Sequence, residues 1–211
     1  GISMGDRDYY LLDDENTVKI RDAYKVYVNR LFTLAGYSAE EAAEAAKTVI
    51  DLETEIAKVS VDRATRRDVH KNYNKMTVKE FTSRFDFIDW EVFFKETGIC
   101  KSEELNASQV TFFEGLTKLL KNVSLEDQKD YLAFKLLNSA ANYLSDDFVN
   151  ASFDFYGKAL QGKEENQPRW KSSLAVVNRS LAEAFGQMYV EKYFPASSKE
   201  KMLEMVANLQ T

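Results

Sequence analysis

Proline, glycine, histidine and cysteine are all scarce. Among 211 residues there are 2 Pro and 8 Gly, too few turn-formers for a loop-rich or all-β chain. With so little proline, long helices run uninterrupted. The single histidine, His70, and the single cysteine, Cys100, exclude a two-His or two-Cys zinc site built by this chain alone, and exclude an internal disulfide. The lone thiol does not report the compartment. No apolar run approaches the roughly 20 residues that span a bilayer, and no signal peptide opens the chain. A basic excess is missing too. Lys and Arg number 28 against 34 Asp and Glu, a net charge of −6, so neither nucleic acid nor a membrane surface is expected to touch this segment. Glycine-rich phosphate loops and a serine nucleophile elbow are absent.

What is present is 45% hydrophobic, 13% aromatic and 29% charged, enough to fill a core and coat it. The fold class expected is all-α, an irregular multi-helix domain, with residues 1–211 forming a single helical domain. Ile20, Ala23, Tyr24, Tyr27, Val28, Leu31 and Leu34 recur at three and four, the spacing of one helix face, up to a stop at Gly36. Ser38-Ala39-Glu40-Glu41 reads as a capping box opening a helix to about Val61, with Ala42, Ala46, Val49, Ile50, Ile56 and Ala57 inward. Residues 62–76 read as an ordered loop. Short helices are expected from Thr77 to Phe85 and around Trp90, and a brief strand at 109–111.

Long helices return from Phe112. One capped by Ser124 is expected to turn Leu132, Leu136, Ala140 and Leu144 inward. Another runs 147–160, with Phe148, Ala151, Phe155, Tyr156 and Ala159 on one face and Gly162 as its C-cap. A single helix from Pro168 to Phe194 follows, and Ser197-Ser198-Lys199-Glu200 caps the last. A start at Gly1 without Met, and an apolar face still running at Thr211, fit a piece excised from a longer chain. Unequal helices and loops show no solenoid repeat.

Few residues offer chemistry. His70 has no metal-ligating neighbour at helical spacing and reads as a surface or loop residue. Cys100 reads as a passive thiol. Four Asn-x-Ser triplets, at Asn106, Asn122, Asn150 and Asn178, are uninformative, the last lying in a helix expected to be buried. Glu53 stands out, in line with apolar neighbours on its helix. A buried carboxylate is costly unless paired, so it reads as a structural ion pair with Arg7, Arg63, Arg67 or Arg169, or else as a general base.

Landmark strings carry more. Gly1-Ile2-Ser3-Met4 leads to Arg7-Asp8-Tyr9-Tyr10. Leu52-Glu53-x-x-Ile56-Ala57 follows, then Arg67-Asp68 and the most specific string, Tyr73-Asn74-Lys75-Met76-Thr77. Trp90, Phe153-x-Phe155-Tyr156 through Leu160-x-Gly162, Pro168-Arg169-Trp170 and Ala184-Phe185-Gly186-x-x-Tyr189-Val190 with Phe194 complete the series. In this order the chain resembles the N-terminal-half helical domain of the neprilysin and endothelin-converting-enzyme family of zinc metallopeptidases. Where animal members carry cysteine near the Arg-Trp pair this chain has Ser172 and Ser173, so their disulfide bonding does not carry over and a bacterial homologue fits.

The resemblance implies a lid lobe of a two-lobed metalloendopeptidase that hydrolyses oligopeptides. It implies a catalytic domain in the same parent chain, holding zinc through H-E-x-x-H beyond Thr211, with none bound by this fragment. Short peptides are the parent's implied substrates, confined in a cavity this lobe walls off, and the parent is implied to be periplasmic, exported or membrane-anchored. No catalytic or metal residue is assigned here. The family-motif residues are Arg7, Asp8, Tyr9, Glu53, Arg67, Asp68, Tyr73, Asn74, Met76, Arg169, Trp170, Gly186 and Tyr189. Two alternatives stand beside this reading: a free-standing helical interaction domain without peptidase activity, and a helical enzyme using Glu53.

Overall fold

A computed structural model describes residues 1–99 and 102–210; Cys100, and with it the passive-thiol reading, lies outside them. The fold is all-α, with twelve α-helices and one small two-stranded sheet among the described residues. By backbone contacts the chain divides into two compact units, Gly1–Glu164 and Glu165–Thr211.

In the first unit the core is built on two long helices. After the short α1 (Asp8–Leu11), α2 (Glu15–Leu34) starts at Asp14, whose side chain accepts the Thr17 amide at 3.0 Å. The chain turns at Gly36, whose φ of +97° is a left-handed conformation that glycine adopts without a Cβ clash. The capping box then forms as expected: the Ser38 hydroxyl accepts the Glu41 amide at 3.2 Å and the Glu41 carboxylate accepts the Ser38 amide at 2.9 Å, opening α3 (Ala39–Val59). Tyr24, Val28, Leu31 and Phe32 of α2 and Ala42, Val49 and Ala57 of α3 are buried in one cluster. Residues 62–76 are not all loop, because the Asp62 side chain caps a one-turn helix, α4 (Arg63–Arg67), through the Thr65 amide.

A smaller aromatic cluster forms on β1 (Lys75–Thr77), α5 (Val78–Arg84), α6 (Trp90–Glu96), β2 (Glu104–Asn106) and α7 (Val110–Leu120), with Met76, Phe81, Phe85 and Ala107 buried. The strands are antiparallel, with Met76 opposite Leu105. The strand expected at 109–111 is thus displaced to 104–106. Residues 110 and 111 already belong to α7, since the apolar 3.6 period of that helix begins at Val110. Where α7 crosses α3 the approach is close: a Cβ on Gly115 would lie 2.6 Å from Val59 Cβ.

The helix α8 (Leu125–Ala140) is capped by Ser124, which accepts the Asp127 amide at 3.1 Å. Its inward face differs from expectation. Phe134 is buried, with Tyr131, Ala133 and Leu137 packed against the core, while Leu132 and Leu136 are 66% and 69% exposed. Both sets repeat at helical spacing, and the larger Phe134 ring, edge-on to Tyr24 at 6.1 Å, sets the rotation. After a 3₁₀ turn (Ala141–Tyr143), α9 (Asp146–Ser152) passes into a π-helical segment at 153–159. That wider turn buries Phe155 and Gly157 but leaves Ala159 exposed, against the uniform α face expected. The segment closes at Gly162 with φ +68°.

The second unit holds α10 (Arg169–Ser180), α11 (Ala182–Tyr193) and α12 (Ala196–Gln210). The single helix expected from Pro168 to Phe194 is two, broken at Leu181, where φ −121° and ψ 23° leave the helical region. Asn178 and Ser180, which compete for backbone hydrogen bonds, weaken the turn before the break. The last helix starts earlier than its expected Ser197 cap, because the Pro195 carbonyl accepts the Ser198 amide at 2.9 Å. The helix holding Asn178 was expected to be buried, but Leu174, Val177, Phe185, Met188 and Asn178 are all exposed.

Candidate functional site

Glu53 projects from the inner face of α3 and is fully buried, with 0% exposure. Its partners are hydroxyls, not the arginines expected. One carboxylate oxygen, Oε2, accepts from Tyr10 and Tyr24, both at 2.6 Å, and Oε1 accepts from Ser3 at 2.7 Å. Lys135 of α8 stands 3.8 Å from Oε1 and donates to the Ser3 hydroxyl at 3.0 Å, so its charge reaches the carboxylate partly through that hydroxyl. Lys135 and Tyr131 also donate to the Gly1 carbonyl, at 2.9 and 3.0 Å. The Tyr10 hydroxyl in turn accepts the Ser3 and Met4 amides at 3.2 and 3.1 Å. One carboxylate therefore ties the first ten residues to α2, α3 and α8.

Burial, and then the negative Glu53, pushes the Tyr10 and Tyr24 phenols upward, so both remain neutral donors. A general base needs a substrate proton within reach. Here three hydroxyls hold the carboxylate and no solvent touches it, so the arrangement anchors structure and offers no place for a reacting group. Charge-assisted bonds of this kind are the strong ones, and among the described residues no buried side-chain polar atom lacks a partner.

The arginines go elsewhere. Arg63 and Arg66 pair with buried Asp6, Arg63 through its Nε and Arg66 at 3.6 Å, and the Asp8 amide donates to Asp6 at 3.0 Å. Burial works to raise the Asp6 carboxyl, but the Asp8 amide and Arg63 outweigh it and hold it below the usual carboxylate range. Arg7 donates to the Ser60 carbonyl at the end of α3. Arg67 is exposed.

The other motif residues separate into groups. Asp8 is exposed and Tyr9 half-buried in α1. Asp68 shapes the loop after α4 by accepting the His70 and Lys71 amides, both at 3.1 Å. Asn74 donates its side-chain amide to the Lys71 carbonyl at 2.8 Å and its backbone amide to Asn106 Oδ1 at 2.6 Å, which fixes the entry to β1. Met76 is buried in the small cluster, and Tyr73 and His70 are exposed. Asn106 also donates to the Asn72 carbonyl, so the amide of that Asn-x-Ser triplet is occupied by the fold. Arg169, Trp170, Gly186 and Tyr189 are exposed on α10 and α11.

Ser3, Tyr10, Tyr24 and Lys135 were missed as Glu53 partners. Tyr24 gave a usable signal, a phenol in the middle of an otherwise apolar stripe, which needs a polar partner when buried. Ser3 and Lys135 gave none, since their sequence distances of 50 and 82 from Glu53 are bridged only by the fold. Among the described residues no group of three or more His, Cys, Asp or Glu could hold a metal ion, and no helix is long and apolar enough to cross a membrane.

Membrane metallo-endopeptidase-like 1 of Mus musculus is 26% identical over 224 residues, covering 100% of this chain and 29% of that protein. An endothelin-converting enzyme homolog of Locusta migratoria is 29% identical over 225 residues, covering 100% of this chain and 30% of that protein. The zinc metalloprotease Zmp1 of Mycobacterium tuberculosis, solved in its open state, superposes with a TM-score of 0.87 at 29% identity, over 100% of this chain and 33% of its own. The chain thus spans about a third or less of the length of these relatives. The family model for the N-terminal part of peptidase family M13 matches residues 1–211. With that match over its whole length and the same helical architecture in a solved relative, the chain belongs to peptidase family M13, the neprilysin and endothelin-converting-enzyme family, as its N-terminal helical domain.

Proposed function

We propose that this chain is the non-catalytic helical lobe of a zinc metalloendopeptidase that cleaves oligopeptides, and that it walls off the active-site cavity and limits substrate size. The observation that carries the reading is the match over all 211 residues to a family whose named members include metallo-endopeptidases and a zinc metalloprotease. The donors of this chain do not fit the zinc that the family implies. Its one histidine is exposed in a loop, and Glu53 is consumed by three hydroxyls. The reading therefore assigns zinc to the catalytic domain of the same parent chain, and no step of the reaction to residues 1–211.

Two features support a wall that packs on further protein. The Glu53 and Asp6 anchorages stiffen residues 1–164, as a lobe that must hold a cavity closed requires. Residues 165–210 display Trp170, Leu174, Met188, Tyr189, Val206 and Leu209 at 47–82% exposure, a surface that a domain of the same chain would cover. The proposal includes a parent that works outside the cytoplasm, periplasmic, exported or membrane-anchored.

The test uses the parent protein and a ladder of peptides of rising length ending in a folded protein. Cleavage is expected to fall sharply with length and to vanish with a chelator, while the 211-residue chain alone cleaves nothing and holds no stoichiometric zinc. Cleavage of the folded protein at the rate of the shortest peptide would overturn the size limit. Zinc bound stoichiometrically to residues 1–211 would overturn the non-catalytic assignment, and a parent without H-E-x-x-H would leave a free-standing interaction domain.

A further inference from the structure

The helix α8 is apolar on two opposite faces. Toward the core it turns Phe134, with Tyr131, Ala133 and Leu137 packed beside it. Leu125 precedes Phe134 by nine residues, about two and a half turns, and so stands on the opposite side of the helix. Leu132 and Leu136 lie within about 20° of Leu125 on that outer face, and the 3₁₀ turn after α8 adds Tyr143. These four side chains are 64–69% exposed. Between them lie Lys129, paired with Glu126 at 2.7 Å, and Ser139, whose hydroxyl donates to the Leu136 carbonyl at 2.8 Å. The outer stripe is therefore apolar and holds no unpaired charge.

A surface helix is apolar on one face, whereas one that is apolar on both sides belongs inside a larger body. The spacing of Leu132 and Leu136 is that of an inward face, yet Phe134 takes the core; both faces are satisfied only where α8 is covered on each. Residues 1–211 supply one cover. This chain makes up 29%, 30% and 33% of its three relatives, so most of a parent of that length lies outside it. Size decides between that remainder and a separate molecule. Four side chains on one helix fall short of the roughly 800 Å² that each partner brings to a standard protein–protein interface, so a second copy of the chain gains too little here to stay associated. A segment of the same chain is held close, at an effective concentration that reaches about millimolar, where so narrow a contact suffices.

We infer that the outer face of α8, formed by Leu125, Leu132, Leu136 and Tyr143, is the seat on the first unit for an uncharged apolar face of the parent chain outside residues 1–211. The helix α8 is then an interior helix of the whole protein, clamped between the core described here and that second cover. The inference rests on the longer parent of the proposed function, and it needs neither zinc nor cleavage.

The test places Leu132→Cys and Leu136→Cys, one at a time, in the parent and in the 211-residue chain, and reads the maleimide labelling rate at each position by peptide mass spectrometry, so that Cys100 is counted apart. Both positions are expected to label freely in the 211-residue chain and about tenfold or more slowly in the parent, as a face that opens only in local fluctuations does. The slowing is expected to be independent of protein concentration. Leu132→Asp combined with Leu136→Asp is expected to leave the Tm of the 211-residue chain unchanged and to lower that of the parent. Slowing that disappears on dilution would assign the face to a second copy, equal rates in the two proteins would leave it to solvent, and slow labelling already in the 211-residue chain would put the cover within residues 1–211; each of these overturns the inference, as does an Asp pair that lowers neither Tm. A parent that passes the peptide-length test and labels at the full rate loses this surface alone, and one that fails the peptide-length test but protects position 132 keeps the surface and loses the size limit.

Discussion

Residues 1–164 and 165–210 are made of the same kind of amphipathic helix and end in opposite states. In α3 the apolar stripe is buried from Ala42 to Ala57; in α10 and α11 the stripe through Leu174, Val177, Leu181 and Phe185 is 40–52% exposed. The period of a sequence identifies which face of a helix is apolar. Whether that face is buried depends on what else is long enough and close enough to cover it. In the first unit α3 finds α2 and α8, and the stripe carries one buried charge that binds three elements together. In the second, short helices leave the large apolar side chains of the described residues at the surface.

The sharpest way to break this contrast is Glu53→Ala. It strands the Tyr10 and Tyr24 hydroxyls in a dry interior and takes the carboxylate from the partly buried Ser3 and Lys135, a loss of about 3–5 kcal/mol on the scale of breaking a buried charged network. Thermal denaturation should show a large fall in Tm for the cooperative transition, and proteolysis should open the first ten residues. A Tm within a degree or two of the unaltered chain would mean that the carboxylate anchors nothing.

The helices of the first unit were legible because their signals are local. Ser38 with Glu41, and Gly36, each act within four residues, and the structure uses both; the Asp14 cap of α2 is equally local but was not read. What local reasoning could not settle was rotation and partnership. Leu132, Leu136 and Leu144 match helical spacing as well as Phe134, Leu137 and Ala141 do, and only the tertiary fit of the Phe134 ring decides between them. The carboxylate at Glu53 was recognisable as needing a partner. Its partners were not recognisable, because arginine is the usual mate of a buried acid, whereas here the nearby arginines are drawn to Asp6 by the short path of α4. In the second unit the break at Leu181 has only weak signals, a neighbouring Asn and Ser, and was overridden by a continuous apolar stripe.

A second test sharpens the packing side of the first unit. Gly115→Ala would place a methyl 2.6 Å from Val59 Cβ and Cγ1, where α7 crosses α3. Both are side-chain atoms of one valine, and its Cβ is fixed to the α3 backbone, so the helices must part, at about 1–3 kcal/mol. Val59→Ala in the same chain removes Cγ1 but keeps Cβ, so it should return only part of that loss, and a double-mutant cycle by urea denaturation measures the coupling.

The Asp6 pair gives a pH signature. Its folded-state pKa is depressed, chiefly by the Asp8 amide and Arg63 acting against burial. The stabilisation is therefore fully present above the unfolded value of about 3.9 and is lost as pH falls through the lower folded value. Asp6→Asn should lower stability at neutral pH, and the gap between variant and unaltered chain should close on titration below about pH 4. A gap that stays constant into acid would mean that the pair contributes nothing through its charge.

The smallest effect belongs to the second unit, and its smallness is informative. Leu174→Gln and Met188→Gln replace side chains that are 50% and 65% exposed, so each should change the unfolding free energy of the 211-residue chain by no more than about 0.5 kcal/mol. The same exchange at Val49, at 0% exposure in α3, removes a packed side chain and buries a polar amide, two of the mechanisms that produce large losses. If Leu174→Gln cost as much as Val49→Gln in urea denaturation, α10 would have to bury its stripe in the chain alone. If the cost stays small in the chain but grows in the parent protein, the apolar face of α10 is covered by residues outside 1–211, and its stability is set there.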